Sequence, residues 1–283
     1  MKGILVFKKP HIHKISTMQI RFYKYQGAGN YFIMIDDRDK SFPAVVDFVN
    51  HLCDRRFGIG ADGLILLQKA EGYDFEMVYF NSDGNPASMC GNGGRCTAAF
   101  AQQLGLGKGE YHFLAVDGPH KAILKADLVS LQMKNVDQIS IHDNAMVLDT
   151  GSPHYVQFMD HIESIDAVSL GRAIRYNTEF KAKGINVNFI SPYPGNPEHI
   201  HIRTYERGVE DETLACGTGV VASALSWFSK NRSEDQKSGK QKIHVSALGG
   251  ELEVDFEYHP DASFSNIWLT GPAERVFEGR IDY

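Results

Sequence analysis

Two short segments carry residue types suited to proton chemistry at carbon. Met89-Cys90-Gly91-Asn92-Gly93 leads into a run of small residues, Cys96-Thr97-Ala98-Ala99-Phe100-Ala101. Ala215-Cys216-Gly217-Thr218-Gly219 leads into another, Val221-Ala222-Ser223-Ala224-Leu225. The spacing predicts that each Cys-Gly-x-Gly unit opens a helix, over about 92–104 and 217–229. A helix N-terminus leaves about four backbone N–H groups without partners and carries roughly half a positive elementary charge. Glycines let that backbone approach an anion such as a carboxylate closely. A cysteine there is expected to have its thiol pKa lowered below the free value of about 8.5.

Two such units face to face form a site for inverting a stereocentre. One carboxylate receives N–H groups from both helix ends, and the two sulfurs flank the carbon beside it. A thiolate on one side removes the proton, and a thiol on the other returns one. The enolate-like intermediate is stabilised by the N–H groups around its carboxylate. The alternative makes Cys90 and Cys216 small buried residues, the usual fate of cysteine. Repetition of the whole local unit argues against it. Cys53 and Cys96, inside predicted helices, are read as structural.

The elements that must position these groups are mostly strands, expected at 19–25, 31–36, 64–69, 74–80, 111–116, 120–126, 128–134, 154–159, 185–190, 199–206, 242–247, 251–257 and 264–270. Two further helices are expected within 44–54 and 166–176, and the polar run Lys230–Lys242 reads as a solvated loop. One Cys-Gly-x-Gly-helix unit per half suggests a duplicated architecture.

Other motifs are weaker. Gly58-Ile59-Gly60-Ala61-Asp62-Gly63 has dinucleotide-type spacing, but a largely polar stretch precedes it and a strand follows. A nucleotide site requires the reverse context, so the segment reads as a loop packed near a site. His199-Ile200-His201 puts two imidazoles on one strand face without a carboxylate or thiolate at ligand spacing, so no metal is expected. Asn81–Asn85 reads as a turn with side-chain-to-backbone bonds. Arg203-Thr204-Tyr205-Glu206-Arg207-Gly208 offers an arginine to grip a second carboxylate and a glutamate to orient a thiol or hold an amine, against a bland reading as an ion pair.

Composition narrows the class. The chain has 283 residues, 43% hydrophobic and 23% charged, with a formal net charge of −6. No apolar run approaches the roughly 18–20 residues of a membrane span. Acidic balance and scattered basic residues argue against a nucleic-acid surface. Four cysteines without a CxxC pair exclude a disulfide scaffold and suggest a reducing, cytoplasmic setting. Residues 1–17 read as an extension, loosely ordered or untranslated, with the folded unit starting near Met18.

These residues resemble the diaminopimelate epimerase family. The resemblance rests on Gly27-Ala28-Gly29-Asn30-Tyr31-Phe32, on Arg56-Phe57-Gly58-Ile59-Gly60-Ala61-Asp62-Gly63, and on Phe80-Asn81-Ser82-Asp83-Gly84 leading to Met89–Cys96. It continues through Ser152-Pro153-His154, Ile185-Asn186-Val187-Asn188-Phe189 and Arg203–Gly208, ending at Ala215-Cys216-Gly217-Thr218-Gly219. It implies an α+β fold of two similar domains, each a barrel-like, mostly antiparallel sheet around a central helix, with the active site in the cleft between them. The implied division is 18–133 plus 272–283 for the domain with Cys90, and 134–271 for the domain with Cys216. The implied activity is cofactor-independent epimerisation of LL- to meso-diaminopimelate, for lysine and peptidoglycan precursors, by an enzyme that forms a homodimer.

By the same resemblance, Cys90 and Cys216 are the acid–base pair, and His154 and Glu206 tune their protonation. The N–H groups of Gly91, Asn92, Gly217 and Thr218 hold the reacting carboxylate. Asn30, Asn81, Asn186, Glu206 and Arg207 contact substrate, largely its distal amino-acid end. Gly63 and Ser152 are substrate-binding positions that depart from the family, some members having Gln and Asn there. The rivals are a proline or hydroxyproline racemase-like enzyme, which typically has Cys-Gly-His-Gly at its first cysteine, a phenazine-type relative, which lacks the cysteine pair, and a non-catalytic carboxylate-binding protein.

Overall fold

A computed structural model describes residues 19–107, 109–233 and 235–283. The expected N-terminal extension, with Met18, lies outside the described residues. In chain order the first half runs β1 (Gln19–Gly27), β2 (Asn30–Asp36), α1 (Val46–Cys53), β3 (Gly63–Gln68), β4 (Glu76–Asn81), α2 (Gly91–Gln103), β5 (Glu110–Ala115), β6 (Gly118–Lys125) and β7 (Leu128–Gln132). The second runs β8 (Ser140–His142), β9 (Ala145–Asp149), β10 (Pro153–Phe158), α3 (Ala167–Arg175), β11 (Asn186–Tyr193), β12 (Asn196–Glu206), β13 (Asp211–Thr213), α4 (Gly217–Asn231), β14 (Gly239–Ala247), β15 (Gly250–Tyr258) and β16 (Phe264–Pro272). A last strand, β17 (Glu274–Asp282), follows.

The pairing pattern repeats. In the first half β1–β2 is antiparallel, β2–β3 parallel, β3–β4 antiparallel, β4–β5 parallel, and β5–β6 and β6–β7 antiparallel. The second half has the same order of senses through β9, β10, β11, β12, β14, β15 and β16. The parallel steps β2–β3 and β10–β11 are crossed by α1 and α3, and the steps β4–β5 and β12–β14 by α2 and α4. The duplication inferred from two short motifs thus extends over whole halves. β7 pairs with β16, joining the two sheets, and β17 returns to pair with β1.

Each sheet wraps a buried helix, as the resemblance implies. α2 buries Gly91 through Ala98 together with Phe100 and Ala101, inside a core that includes Tyr23, Tyr25, Phe113 and Leu131. α4 is buried from Val220 to Ser226, against Val156, Ile202, Val245 and Val254. A helix enclosed on all sides needs small or apolar residues around its circumference, hence the alanine- and glycine-rich runs.

The expected strands and four helices are present, with ends shifted by a few residues. The strands β8, β9, β13 and β17 were not anticipated. β8 and β13 are three residues each, and β17 is largely exposed, so none carries a clear alternating pattern. The expected solvated loop after α4 is shorter than 230–242, because α4 continues to Asn231 and β14 begins at Gly239.

Candidate active site

Cys90 and Cys216 are both helix N-caps. Each has extended backbone, φ −110° and ψ 124° at Cys90, φ −109° and ψ 112° at Cys216, and their carbonyls accept from Gly94 N and Val220 N. The two helix ends abut. A methyl group on Gly91 would lie 3.7 Å from Gly217 Cα, and one on Gly217 would lie 3.5 Å from Gly91 Cα and 3.1 Å from a Leu269 methyl. Glycine is required here because the second helix occupies the space where a side chain would begin. The four N–H groups expected to cradle a carboxylate therefore converge from both halves of the chain.

The thiols do not have the lowered pKa that helix ends alone would impose. Burial pushes Cys90 up, chiefly by desolvation, against N–H groups of Gly93 and Asn92 that act in the opposite sense. Cys216 is pushed up to about 12 by burial and by the charge of Glu206. Thr218 and the Gly219 N–H only partly offset this. Removing a thiolate from water costs more than the partial charge of a helix end returns. Glu206 acts on both thiols, and its own carboxyl is raised by burial.

His154 reaches Cys216 through another residue. Asn188 donates from Nδ2 to the Tyr155 carbonyl, at 3.3 Å, and accepts from the Thr204 hydroxyl at its oxygen, at 3.0 Å, which fixes the amide orientation. The same Nδ2 lies 3.1 Å from His154 Nδ1, which must therefore accept. The ring proton is then on Nε2, which donates to the Thr218 hydroxyl at 2.9 Å. That hydroxyl, 3.5 Å from Cys216 Sγ, is left to donate to the sulfur. His154 is fully buried, and burial holds its pKa down at about 3, so the ring is neutral.

A second cluster lies around Arg207. Its guanidinium donates to the Lys183 carbonyl at 3.1 Å and to Ser152 Oγ at 3.3 Å, and it pairs with no carboxylate among the described residues. Asn186 donates to the same Ser152 hydroxyl at 2.9 Å and accepts from Arg207 N at 2.9 Å. Ser152 thus ties two expected substrate-binding residues together. Arg203, in the same motif, is spent on a bidentate ion pair with Glu212, both contacts 2.6 Å. The ion-pair reading applies to Arg203, and Arg207 is left available for a ligand.

Asn30 and Asn92 join the halves. Asn92 Nδ2 donates to Asn30 Oδ1 and, at 3.0 Å, to the Ala215 carbonyl, while its oxygen accepts from Arg95 Nη2 at 2.9 Å. Asp62 accepts from Tyr31 N at 2.8 Å and pairs with Arg55 at 2.6 Å, which places the glycine-rich loop beside Asn30. Asn81 ends β4 opposite Gly63 on β3, in the turn where Asn85 N donates to Asp83 at 2.9 Å. The other two cysteines are core residues, Cys53 at 3% exposure and Cys96 at 0%. His199 and His201 stack on Tyr193 instead of converging on a ligand.

Reading the sequence missed Arg95, Asn188 and Asp62. Arg95 was the one charged residue in a small-residue helix. Asn188 shares a strand face with Asn186, two positions away, which was the available signal.

The family model described as diaminopimelate epimerase matches residues 22–137 and 146–276. A diaminopimelate epimerase of Flavobacterium psychrophilum is 50% identical over 264 residues, 93% of this chain and 100% of that protein. One from Aquifex aeolicus is 37% identical over 283 residues, 93% of this chain and 98% of its own. Among solved structures, a phenazine biosynthesis protein of Bacillus anthracis superposes with a TM-score of 0.70 at 12% identity, covering 93% of this chain and 99% of that one. A probable proline racemase of Agrobacterium radiobacter gives 0.62 at 14%, covering 93% and 92%. At these identities the two structures speak for the fold alone.

Proposed function

Because the chain belongs to the diaminopimelate epimerase family, an isomerase family acting on an amino acid, we propose that Cys90 and Cys216 are the acid and base that convert LL- to meso-diaminopimelate in lysine and peptidoglycan precursor synthesis. The observation that carries this reading is the abutment of Gly91 and Gly217, which sets two cysteine-capped helix ends on one small volume.

The reaction proceeds by proton transfer between side chains and substrate. The N–H groups of Gly91, Asn92, Gly217 and Thr218 hold the reacting carboxylate and stabilise the charge that develops on it. One thiolate takes the Cα proton, and the opposite thiol delivers its own to the other face. The configuration inverts, and the two sulfurs exchange protonation states. No cofactor is needed to balance this step. Both thiols hold their protons in the empty site, since burial and Glu206 raise them. A substrate ammonium beside Glu206 neutralises that charge and makes deprotonation easier.

Arg207 takes the distal carboxylate, and Asn30, Asn81 and Asn186 accept or donate around the distal amino acid. The working unit is two domains, 18–133 plus 272–283 and 134–271, closing over the substrate to exclude water. The enzyme works in the cytoplasm as a homodimer. Among the described residues no helix is long and apolar enough to cross a membrane.

Side-by-side assays of LL-diaminopimelate and L-proline in deuterated water test the assignment. The expected result is inversion with deuterium at the inverted centre of diaminopimelate and none with proline. Inversion of proline, or diaminopimelate binding without exchange, would overturn it in favour of a racemase-like or a non-catalytic protein.

A further inference from the structure

Gly63 is a substrate position that lacks the side chain some family members have there, and the structure fills its place. A Cβ on Gly63 would lie 2.5 Å from Tyr79 Cε2, 3.0 Å from the Tyr79 hydroxyl oxygen and 2.5 Å from the Phe80 carbonyl. The Tyr79 ring therefore rests directly on the Gly63 backbone. Only glycine is compatible with that ring position, because no Cβ approaches another heavy atom so closely.

The ring is well held. It meets Phe32 edge to face, with centroids 6.0 Å apart, and Phe32 pairs with Gly63 in the register of β2 and β3. Tyr79 sits two residues before Asn81 on β4, so both side chains leave the same face of the strand. The Tyr79 carbonyl accepts from Ala87 N at 2.9 Å, which ties it to the segment leading into Cys90. Its hydroxyl has no hydrogen-bond partner among the described residues. A half-buried phenol is usually satisfied, so this one has a donor to offer. Burial first, then the charges of Cys90, Asp62 and Glu206, raise its pKa, which keeps the proton on the oxygen at neutral pH.

We propose that Tyr79 is a substrate-contacting residue whose hydroxyl occupies the space of the missing side chain at position 63 and donates a hydrogen bond to a substrate carboxylate. The inference rests on the epimerase reading and adds a specificity-determining residue to it. The pair Gly63 and Tyr79 then works as one unit: the glycine makes room, and the tyrosine supplies the polar group.

The test is steady-state epimerisation of LL-diaminopimelate by the wild type, Tyr79→Phe, Gly63→Gln and the double variant Gly63→Gln with Tyr79→Val. Tyr79→Phe keeps the ring and removes only the hydroxyl. Its KM is expected to rise about tenfold with kcat within about threefold of wild type, the size expected for one hydrogen bond to a charged group. Gly63→Gln alone is expected to lose more, because the new side chain and the ring compete for one volume. The double variant is expected to recover KM to within a few-fold of wild type. An unchanged KM in Tyr79→Phe, or a double variant no better than Gly63→Gln, overturns the inference. Failure of the wild type to turn over diaminopimelate overturns the epimerase reading itself, and this inference with it.

Discussion

The Thr218 hydroxyl stands between His154 and Cys216, 2.9 Å from the imidazole Nε2 and 3.5 Å from the sulfur. Because Asn188 occupies His154 Nδ1, the proton chain runs one way, from imidazole to hydroxyl to sulfur. The chain stabilises the Cys216 thiolate without placing a cation beside it. Thr218→Val keeps the backbone N–H and removes this donor. Thr218 lowers the Cys216 pKa, so its loss raises it. The acidic limb of the pH–rate profile for the direction using Cys216 as base is expected to move up by about half to one pH unit. A limb that stays in place would separate Thr218 from the thiol.

Replacing either sulfur removes an acid–base group at a step that needs two. Cys90→Ala and Cys216→Ala are each expected to lower inversion of LL-diaminopimelate by at least about a hundredfold. Chiral analysis of the product mixture measures this. Full epimerisation by either variant would sink the two-thiol mechanism.

Two sulfurs facing one small volume can be oxidised to a disulfide when no substrate separates them. Activity of the ligand-free enzyme is expected to fall in air and return with a thiol reductant. Substrate present during the exposure should protect it. Mass spectrometry of the oxidised enzyme should find Cys90 joined to Cys216, with Cys53 and Cys96, both core residues, still reduced.

His154 makes folding stability depend on acid. Folded, its pKa is lowered to about 3 by burial, against 6.5 when exposed. Between those values the unfolded chain binds the extra proton and the folded one does not. The contribution of the neutral ring is therefore complete above about pH 6.5 and is lost as pH falls toward 3, by about 1.4 kcal/mol per pH unit. Urea unfolding of wild type should weaken more steeply over this window than that of His154→Asn. Parallel pH dependences would show that the imidazole is solvated.

Ser152 joins Asn186 to Arg207. Ser152→Ala leaves both without that contact and is expected to raise KM several-fold with kcat nearly unchanged, because the change is remote from the thiols. A loss in kcat alone would place Ser152 at the reacting centre.

Much of this was legible before any fold was known. The two Cys-Gly-x-Gly units, the helices they open and the duplicated plan follow from local capping and small-residue patterning, both short-range effects. Strands such as β15, with its alternation from Gly250 to Tyr258, are equally plain. β17 is not, because it owes its existence to pairing with β1, at the other end of the chain.

The residue types alone thus determined which groups can move protons and which helix ends can hold an anion. Tertiary structure decided how those groups behave. It turned the expected low thiol pKa into a raised one, since desolvation depends on everything packed around the sulfur. It also linked His154 to Cys216 through Thr218 and set Tyr79 on Gly63. Those contacts join residues on different strands and helices, and no local pattern records the distance between them.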